Sequence, residues 1–162
     1  MKPRFPVSIS IWVRVVKSQN FVGYSIFTNN FDDQKNHGIW LSVTSTGTIS
    51  MNYGNGGPVG RTSRFSRRGT TVLREGDWYH VAAIVHEEDA MSIYINGQHD
   101  GGHYSGSANQ LKYSHGPGRF DVRDSGIHTG SIYFKGSMDD MRLYNRALTQ
   151  DELTILYLAR KK

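Results

Sequence analysis

The amino-acid sequence predicts an all-β fold that ends in one short helix. The chain has 162 residues, of which 18 are glycine, while 12% are aromatic and only 20% are charged. This composition is typical of a β-rich domain with many turns. Several segments alternate apolar and polar residues with the period of two that a half-buried strand produces. The length fits a single domain, residues 1–162, that can bury a core without disulfides.

Three alternating segments predict strands with one apolar and one polar face. In VSISIWVRVV (residues 7–16) and GIWLSV (residues 38–43), the aliphatic residues lie on one face, and Trp12 or Trp40 lies on the other. In TISMNY (residues 48–53), Asn52 lies opposite the apolar row. An aromatic ring with polar neighbours suits stacking on a sugar. We therefore predict that Trp40 and Asn52 contact a ligand; the alternative is that both faces are buried.

The C-terminal end predicts a helix. Thr149 and Glu152 have the spacing of a capping box, and Leu148 with Leu153 can form a hydrophobic staple around it. Tyr157 follows Leu153 on the same helical face. We expect a short amphipathic helix that packs on the sheets and has a structural role.

Three further segments occur in an order that is typical of one family. They are GDWYHVAAIV (residues 76–85), MSIYINGQ with a type I′ turn signal at Asn96-Gly97, and FKGSMDDMRLYNRAL (residues 134–148). Together they resemble the laminin G-like jelly roll of the concanavalin A-like lectin/glucanase superfamily, over residues 7–153. The resemblance implies an antiparallel β-sandwich of the jelly-roll type, with Trp12 as a framework residue. It also implies an extracellular or cell-surface location, although such folds host unrelated activities.

The resemblance also implies a strand before residue 7, which we expect to be missing here, either because the sequence is a piece of a longer protein or because it is a natural short version. In the family that strand pairs with the terminal strand, so we expect an exposed sheet edge here and self-association through it. The early apolar run carries Arg14 and alternates, unlike a signal peptide, and no segment is apolar for long enough to span a membrane.

The charge of the chain favours anionic partners. Its formal net charge is +5 and its pI is near 9.5. Sulfated or uronic-acid glycans, nucleic acid and anionic membrane surfaces fit that charge. There are no cysteines, which excludes a disulfide framework, a thiolate metal site and a cysteine nucleophile.

The arginines concentrate in one polar stretch. Residues 54–70 are rich in glycine and serine, and they predict a loop that carries Arg61, Arg64, Arg67 and Arg68. Arginine binds sulfate, carboxylate or phosphate through two parallel hydrogen bonds. We predict an anion-binding loop, with His37 of another polar loop as a further ligand contact; the alternative is a solvated, flexible loop.

The acidic residues do not predict a catalytic site. Glu87, Glu88 and Asp89 are consecutive, so neighbouring side chains would point to opposite faces, as in a turn. His80 is expected to make a structural hydrogen bond. The resemblance implies a structural calcium ion at Asp139, and the alternative is an ion pair from Asp139 or Asp140 to a nearby arginine, Arg142 or Arg146.

These observations predict a non-catalytic carbohydrate-recognition or adhesion module for an anionic polysaccharide. The first alternative is a protein-interaction or structural domain, which has a protein partner instead of a glycan. The second is a glycoside hydrolase-like enzyme of the same superfamily, although its alternating carboxylate signature is absent. Nucleic-acid binding is the weakest hypothesis, because no nucleic-acid-binding motif accompanies the arginines.

Overall fold

The fold was determined as a computed structural model. It describes residues 2–17, 23–29, 34–115, 123–124 and 132–159. The strands are β1 Val7–Val15, β2 Gly23–Thr28, β3 Lys35–Thr44, β4 Ile49–Pro58, β5 Arg64–Arg68, β6 Trp78–Glu87, β7 Ala90–Ile95, β8 Gln98–His99, β9 His103–Gly106, β10 Arg123–Asp124, β11 Ile132–Tyr133 and β12 Gly136–Tyr144. A 3-10 turn occupies Arg61–Ser63, and helix α1 occupies Gln150–Ala159.

Two antiparallel five-stranded sheets form a jelly-roll sandwich, as predicted. Sheet 1 has the order β12-β1-β6-β7-β8, and sheet 2 has the order β2-β3-β4-β5-β9. A small third sheet pairs β10 with β11, and its strands contact β2. In the described part of the chain, no helix is both long and apolar enough to cross a membrane.

The core lies between the two sheets and confirms the alternation in the sequence. Ile9, Ile11 and Val13 of β1 are fully buried and belong to one cluster. The same cluster takes in the apolar rows of β3 and β4, which are Ile39, Leu41, Val43, Ile49, Met51 and Tyr53. These rows face inward because successive side chains of a strand point to opposite faces. The partners of each row in the sequence, including Trp12 and Trp40, therefore lie on the outer faces.

Helix α1 covers the outer face of sheet 1. The Thr149 amide donates to Glu152 Oε2 over 2.9 Å, and the Glu152 amide donates to Thr149 Oγ1 over 3.3 Å, which is the predicted capping box. Leu148 and Leu153 are buried with Ala82 and Ile84 of β6 in a second apolar cluster. The predicted helix and its packing on the sandwich are confirmed.

Two predicted turns also form. Asn96 and Gly97 have φ values of 53° and 77°, the left-handed conformation that a type I′ turn requires at both positions. Glu88 and Asp89 make the turn between β6 and β7.

The prediction of a loop over residues 54–70 is wrong. β4 continues to Pro58, and β5 begins at Arg64 after the 3-10 turn. β5 pairs with β4 on one side and with β9 on the other, so backbone pairing within the sheet overrides its weak local preference. β9 itself lies in a region where the sequence shows no clear period.

Strand β12 ends sheet 1. It pairs with β1 on one side, and no described strand pairs with its other side. Met141 on this strand is 44% exposed. An edge of this kind is a template for pairing with a second chain. We therefore expect self-association through β12, which stays a prediction.

Candidate functional site

The outer face of sheet 2 carries a row of side chains that crosses all five strands. Cα register aligns Thr28, Trp40, Asn52, Ser66 and Ser105 in that order across β2, β3, β4, β5 and β9. Trp40 is the large apolar member of the row, and the others are small and polar. We call this surface the Trp40 face.

Two arginines flank this row on β5. Arg64 and Arg68 lie two residues before and after Ser66, so all three side chains share the outer face. Given a strand spacing of about 4.8 Å and a rise of about 3.3 Å per residue, each arginine Cα lies about 12 Å from the Trp40 Cα.

Trp40 and Trp12 have different surroundings, although each lies opposite the aliphatic row of its own strand. Trp12 is 3% exposed on the outer face of sheet 1, and its ring stacks on Tyr157 of α1 at 5.9 Å. Trp40 is only half-buried. Of these two tryptophans, Trp40 is therefore the one with surface that a ligand can contact.

Asn52 is buried beneath this surface. Its Nδ2 donates to the carbonyl oxygens of Trp40 and Ser50, and its Oδ1 accepts from the Ser50 hydroxyl. Asn52 is 3% exposed. The predicted contact residue is therefore better placed to fix the β3–β4 backbone under Trp40 than to touch a ligand.

Arg64 lies in an unneutralised cationic environment. Burial lowers the pKa of its guanidinium, and the charges of Arg61 and Arg68 lower it further. Its Nε is buried and has no hydrogen-bond partner among the described residues. Since buried donors are nearly always paired, this arrangement favours an anion beside Arg64.

Arg67 points to the opposite side of sheet 2. It pairs across the strands with Met51, whose side chain is in the core, so it shares the inner face. Its guanidinium lies 4.9 Å from the centroid of the Tyr104 ring, and its Nη2 donates to the Gly101 carbonyl. The four arginines thus do not form one loop, and Arg67 supports the edge of the core.

His37 and Arg61 lie at the end of sheet 2. His37 is within β3 rather than in the predicted polar loop, and it lines a groove of about 700 Å³ together with Lys35 and Lys112. Arg61 is exposed on the 3-10 turn. Of the predicted ligand residues, His37 therefore lies in this groove, and Arg61 lies on the 3-10 turn outside its lining.

The Asp139 site offers few oxygen ligands. The neighbouring Asp140 accepts two hydrogen bonds from Arg142, each over 2.9 Å, which is one of the ion pairs that the sequence predicted. Within the described ranges, no group of three His, Cys, Asp or Glu side chains is close enough to hold a metal. Calcium binds six to eight oxygens, which can include backbone carbonyl oxygens. Calcium at Asp139 stays a prediction that rests on the resemblance.

His80 has a structural environment. Its Nε2 lies 2.9 Å from Ser10 Oγ, and its backbone amide donates to Asn96 Oδ1. Burial lowers the pKa of His80 to about 4. A neutral imidazole under α1 is a buried packing group, as the sequence predicted.

Comparisons with known proteins agree with this fold. The family model described as the concanavalin A-like lectin/glucanases superfamily matches residues 3–154. The chain belongs to this superfamily. No curated protein sequence matches the chain.

Solved structures with a fold similar to that of this chain include several toxin binding domains. A structure reported under "Cell entry of botulinum neurotoxin type C is dependent upon interaction with two ganglioside molecules" has a TM-score of 0.63 and 14% identity, over 97% of this chain and 36% of that one. The binding domain of botulinum neurotoxin DC in complex with rat synaptotagmin II has a TM-score of 0.61 and 14% identity, over 96% and 36%. The binding domain of Paraclostridial Mosquitocidal Protein 1 has a TM-score of 0.59 and 18% identity, over 96% and 37%. The chain thus spans little more than a third of these proteins, and the likeness concerns the fold.

Proposed function

We propose that this chain is a non-catalytic carbohydrate-recognition module for an anionic polysaccharide, and that the Trp40 face is its binding site. The arrangement of Arg61, Arg64 and Arg68 carries the proposal. Burial lowers the pKa of Arg64, the charges of Arg61 and Arg68 lower it further, and no carboxylate among the described residues bonds to any of the three. A bound sulfate or carboxylate would relieve the repulsion between these charges.

The chemistry of the face suits a sugar with an acidic substituent. The half-buried Trp40 ring offers an apolar surface on which the C–H face of a sugar can stack. Arg64 and Arg68 offer planar guanidinium groups that bind a sulfate or carboxylate through paired hydrogen bonds. The side chains between them, Ser66 and Asn52, are small and buried.

The superfamily and the structural neighbours support the same kind of activity. The superfamily includes lectins, and one neighbour is described as depending on two ganglioside molecules for cell entry. Gangliosides are glycolipids whose oligosaccharides carry acidic sugars. An extracellular or cell-surface location is part of this proposal, because that is where such glycans occur.

A hydrolase would need a different set of residues. Glycosidic hydrolysis uses two carboxyl groups, about 5 Å apart in retaining enzymes and up to about 9.5 Å apart in inverting ones. The aligned row of the Trp40 face and the flanking positions on β5 carry no Asp or Glu in the part of the chain that the structure describes. Binding without turnover is therefore the activity that this surface favours.

A protein partner is the second candidate function. The neighbour solved with rat synaptotagmin II shows that one fold of this type binds a protein. A partner strand could add to the side of β12 with which no described strand pairs. A partner that binds there would leave the Trp40 face uninvolved, so variants of the two surfaces separate the two functions.

A glycan array tests the proposal. The wild-type chain is compared with Trp40→Ala and with the double variant Arg64→Gln/Arg68→Gln. A third variant, Arg74→Gln/Lys135→Gln, removes the same charge from exposed positions at the other end of the sandwich, beside the β3–β4 turn and the end of β1. We expect sulfated or uronic-acid glycans to bind the wild type and this control alike, and to lose about tenfold or more in affinity with the other two variants. Equal binding by all four proteins would exclude the Trp40 face as the site.

A further inference from the structure

A groove at the end of sheet 2 extends the cationic surface beyond the Trp40 face. It has a volume of about 700 Å³ and lies between the start of β3, the end of β4 and residues 109–115. Its basic lining residues are Lys35, His37, Lys112 and His115, and none of its lining residues is Asp or Glu. We call it the rim groove.

The backbone builds this groove. The β3–β4 register shifts between Lys35 and His37, which brings both side chains to the groove. The Lys112 amide donates to the Gly54 carbonyl over 3.0 Å, and its carbonyl accepts from the Gly38 amide over 2.7 Å. Lys112 is thus fixed to both strands that form the floor.

Gly56 keeps the floor of the groove open. Its φ of 82° is in the left-handed region, and a Cβ there would lie 3.1 Å from His37 Cε1 and 3.5 Å from the Lys112 Cβ. A side chain at this position would fill the space between His37 and Lys112. The groove is therefore a shaped site and not a flat charged patch.

A second groove nearby has a different charge pattern. It shares Gln110 and Tyr113 with the rim groove but is lined by Glu87 and Glu88 as well as Lys2 and Arg4. Opposite charges in one groove compensate each other. The rim groove, by contrast, has no acidic residue in its lining.

The 3-10 turn joins the rim groove to the Trp40 face. Asn36, the residue between Lys35 and His37, donates from Nδ2 to the Gly60 carbonyl over 3.1 Å. Arg61 follows Gly60 directly and shares an electrostatic environment with Arg64. Cationic side chains thus continue from Arg68 and Arg64, through Arg61, to the rim groove.

We infer that the rim groove is a second anion subsite, and that the chain binds a linear polyanionic saccharide along this path. The inference rests on the proposed function and specifies its ligand, which must be long enough to reach from the Trp40 face to the groove. A single sugar that carries one acidic group would occupy the Trp40 face alone. Two linked subsites raise affinity through effective concentration, so affinity should rise with oligosaccharide length.

The test uses size-defined sulfated glycosaminoglycan oligosaccharides, from disaccharide to octasaccharide, and isothermal titration calorimetry. The proteins are the wild type, Lys35→Gln/Lys112→Gln, Arg64→Gln/Arg68→Gln and the control Arg74→Gln/Lys135→Gln. Lys35 and Lys112 are exposed, and thermal melts check that each variant is folded. We expect the groove variant to bind the disaccharide like the wild type, and the octasaccharide about tenfold or more weakly, with a smaller dependence of affinity on salt.

The outcomes separate the inference from the function it rests on. If the groove variant binds every length like the wild type while Arg64→Gln/Arg68→Gln loses binding, the second subsite is excluded and the proposed function stands. If no protein binds any oligosaccharide, the proposed function fails, and the second subsite fails with it. If single-stranded DNA of equal charge binds as tightly as the octasaccharide, the path recognises polyanions in general, which overturns the assignment to a saccharide.

Discussion

Trp12 stacks on Tyr157 with ring centroids 5.9 Å apart and an angle of 26° between the ring planes. Through this contact, helix α1 packs on the outer face of sheet 1. The equivalent outer face of sheet 2 has Trp40, which is half-buried. The chain thus uses one outward tryptophan for packing and leaves the other with exposed surface.

The two tryptophans should differ in their effect on stability. Trp12→Ala removes a fully buried ring and leaves a cavity under α1, so we expect a loss of about 3–5 kcal/mol in the free energy of unfolding. Trp40→Ala removes a half-buried ring and should cost about 1 kcal/mol, because less apolar area returns to water. Urea unfolding at pH 7 measures both. A larger loss at Trp40 than at Trp12 would show that Trp40 is part of the core.

The capping box should contribute measurably to the packing of the helix. Thr149→Ala removes the hydroxyl that accepts the Glu152 amide, with an expected loss of about 1 kcal/mol. Thr149→Ser keeps that acceptor and serves as the matched control, with a change of a few tenths of a kcal/mol at most. Urea midpoints measure the difference, and equal midpoints for the two variants would show that the hydroxyl contributes nothing.

His80 should make stability depend on pH. Burial lowers its pKa from 6.5 to about 4 in the folded chain. Between pH 6.5 and 4 the unfolded chain binds a proton that the folded chain does not, so stability is fully present above pH 6.5 and falls as the pH drops through this window. His80→Gln keeps a polar group near Ser10 without the titration. We expect urea midpoints at pH 7 and pH 5 to differ more for the wild type than for this variant; parallel pH profiles would contradict the assignment.

The Asp100 carboxylate should stabilise the fold by binding the backbone of Thr70 and Thr71. Its carboxylate is 4% exposed and accepts hydrogen bonds from the backbone amides and hydroxyls of Thr70 and Thr71. Asp100→Asn places an NH₂ group among these donors, and we expect a loss of about 3 kcal/mol, as for buried hydrogen bonds to a charged group. The exposed Asp77→Asn is the control and should change stability by less than about 0.5 kcal/mol. Similar urea midpoints for both variants would show that the Asp100 hydrogen bonds do not contribute to stability.

The edge of sheet 1 should mediate weak self-association. We expect the apparent mass from light scattering to rise with protein concentration, and Met141→Lys on β12 to reduce that rise, because a charge on an edge strand opposes pairing. Ile155→Lys, on an exposed position of α1, is the control. A constant monomer mass at all concentrations would exclude association through β12.

The sequence predicted the parts of this fold that local patterns encode. The alternation around Trp12 and Trp40, the Asn96-Gly97 turn and the Thr149–Glu152 box are each visible within a few residues. β5 was missed because Arg64–Arg68 has one apolar residue in five, and its pairing partners β4 and β9 decide its conformation.

The candidate site was predicted only in part for the same reason. The alternation of side chains along β3 correctly placed Trp40 on an outer face. Residues 54–70 were predicted to be a loop, so the same alternation was not applied to β5. The sequence therefore did not show that Arg67 faces the core while Arg64 and Arg68 face outward. The rim groove assembles residues near 35, 56 and 112, which are far apart in the sequence. The pairing of β3 with β4 and the backbone bonds of Lys112 to Gly38 and Gly54 bring them together.

The placement of Arg64 and Arg68 on one strand has a consequence for selectivity. A paired strand has a nearly constant rise, so the two Cα atoms are held about 13 Å apart whatever occupies the surface. A flexible loop would adapt to any spacing between the negative charges of a ligand, whereas this strand holds the two arginine Cα atoms at one spacing. Polymers should therefore be discriminated by the interval at which their acidic groups recur, and total charge density alone should be a poor guide to which of them bind.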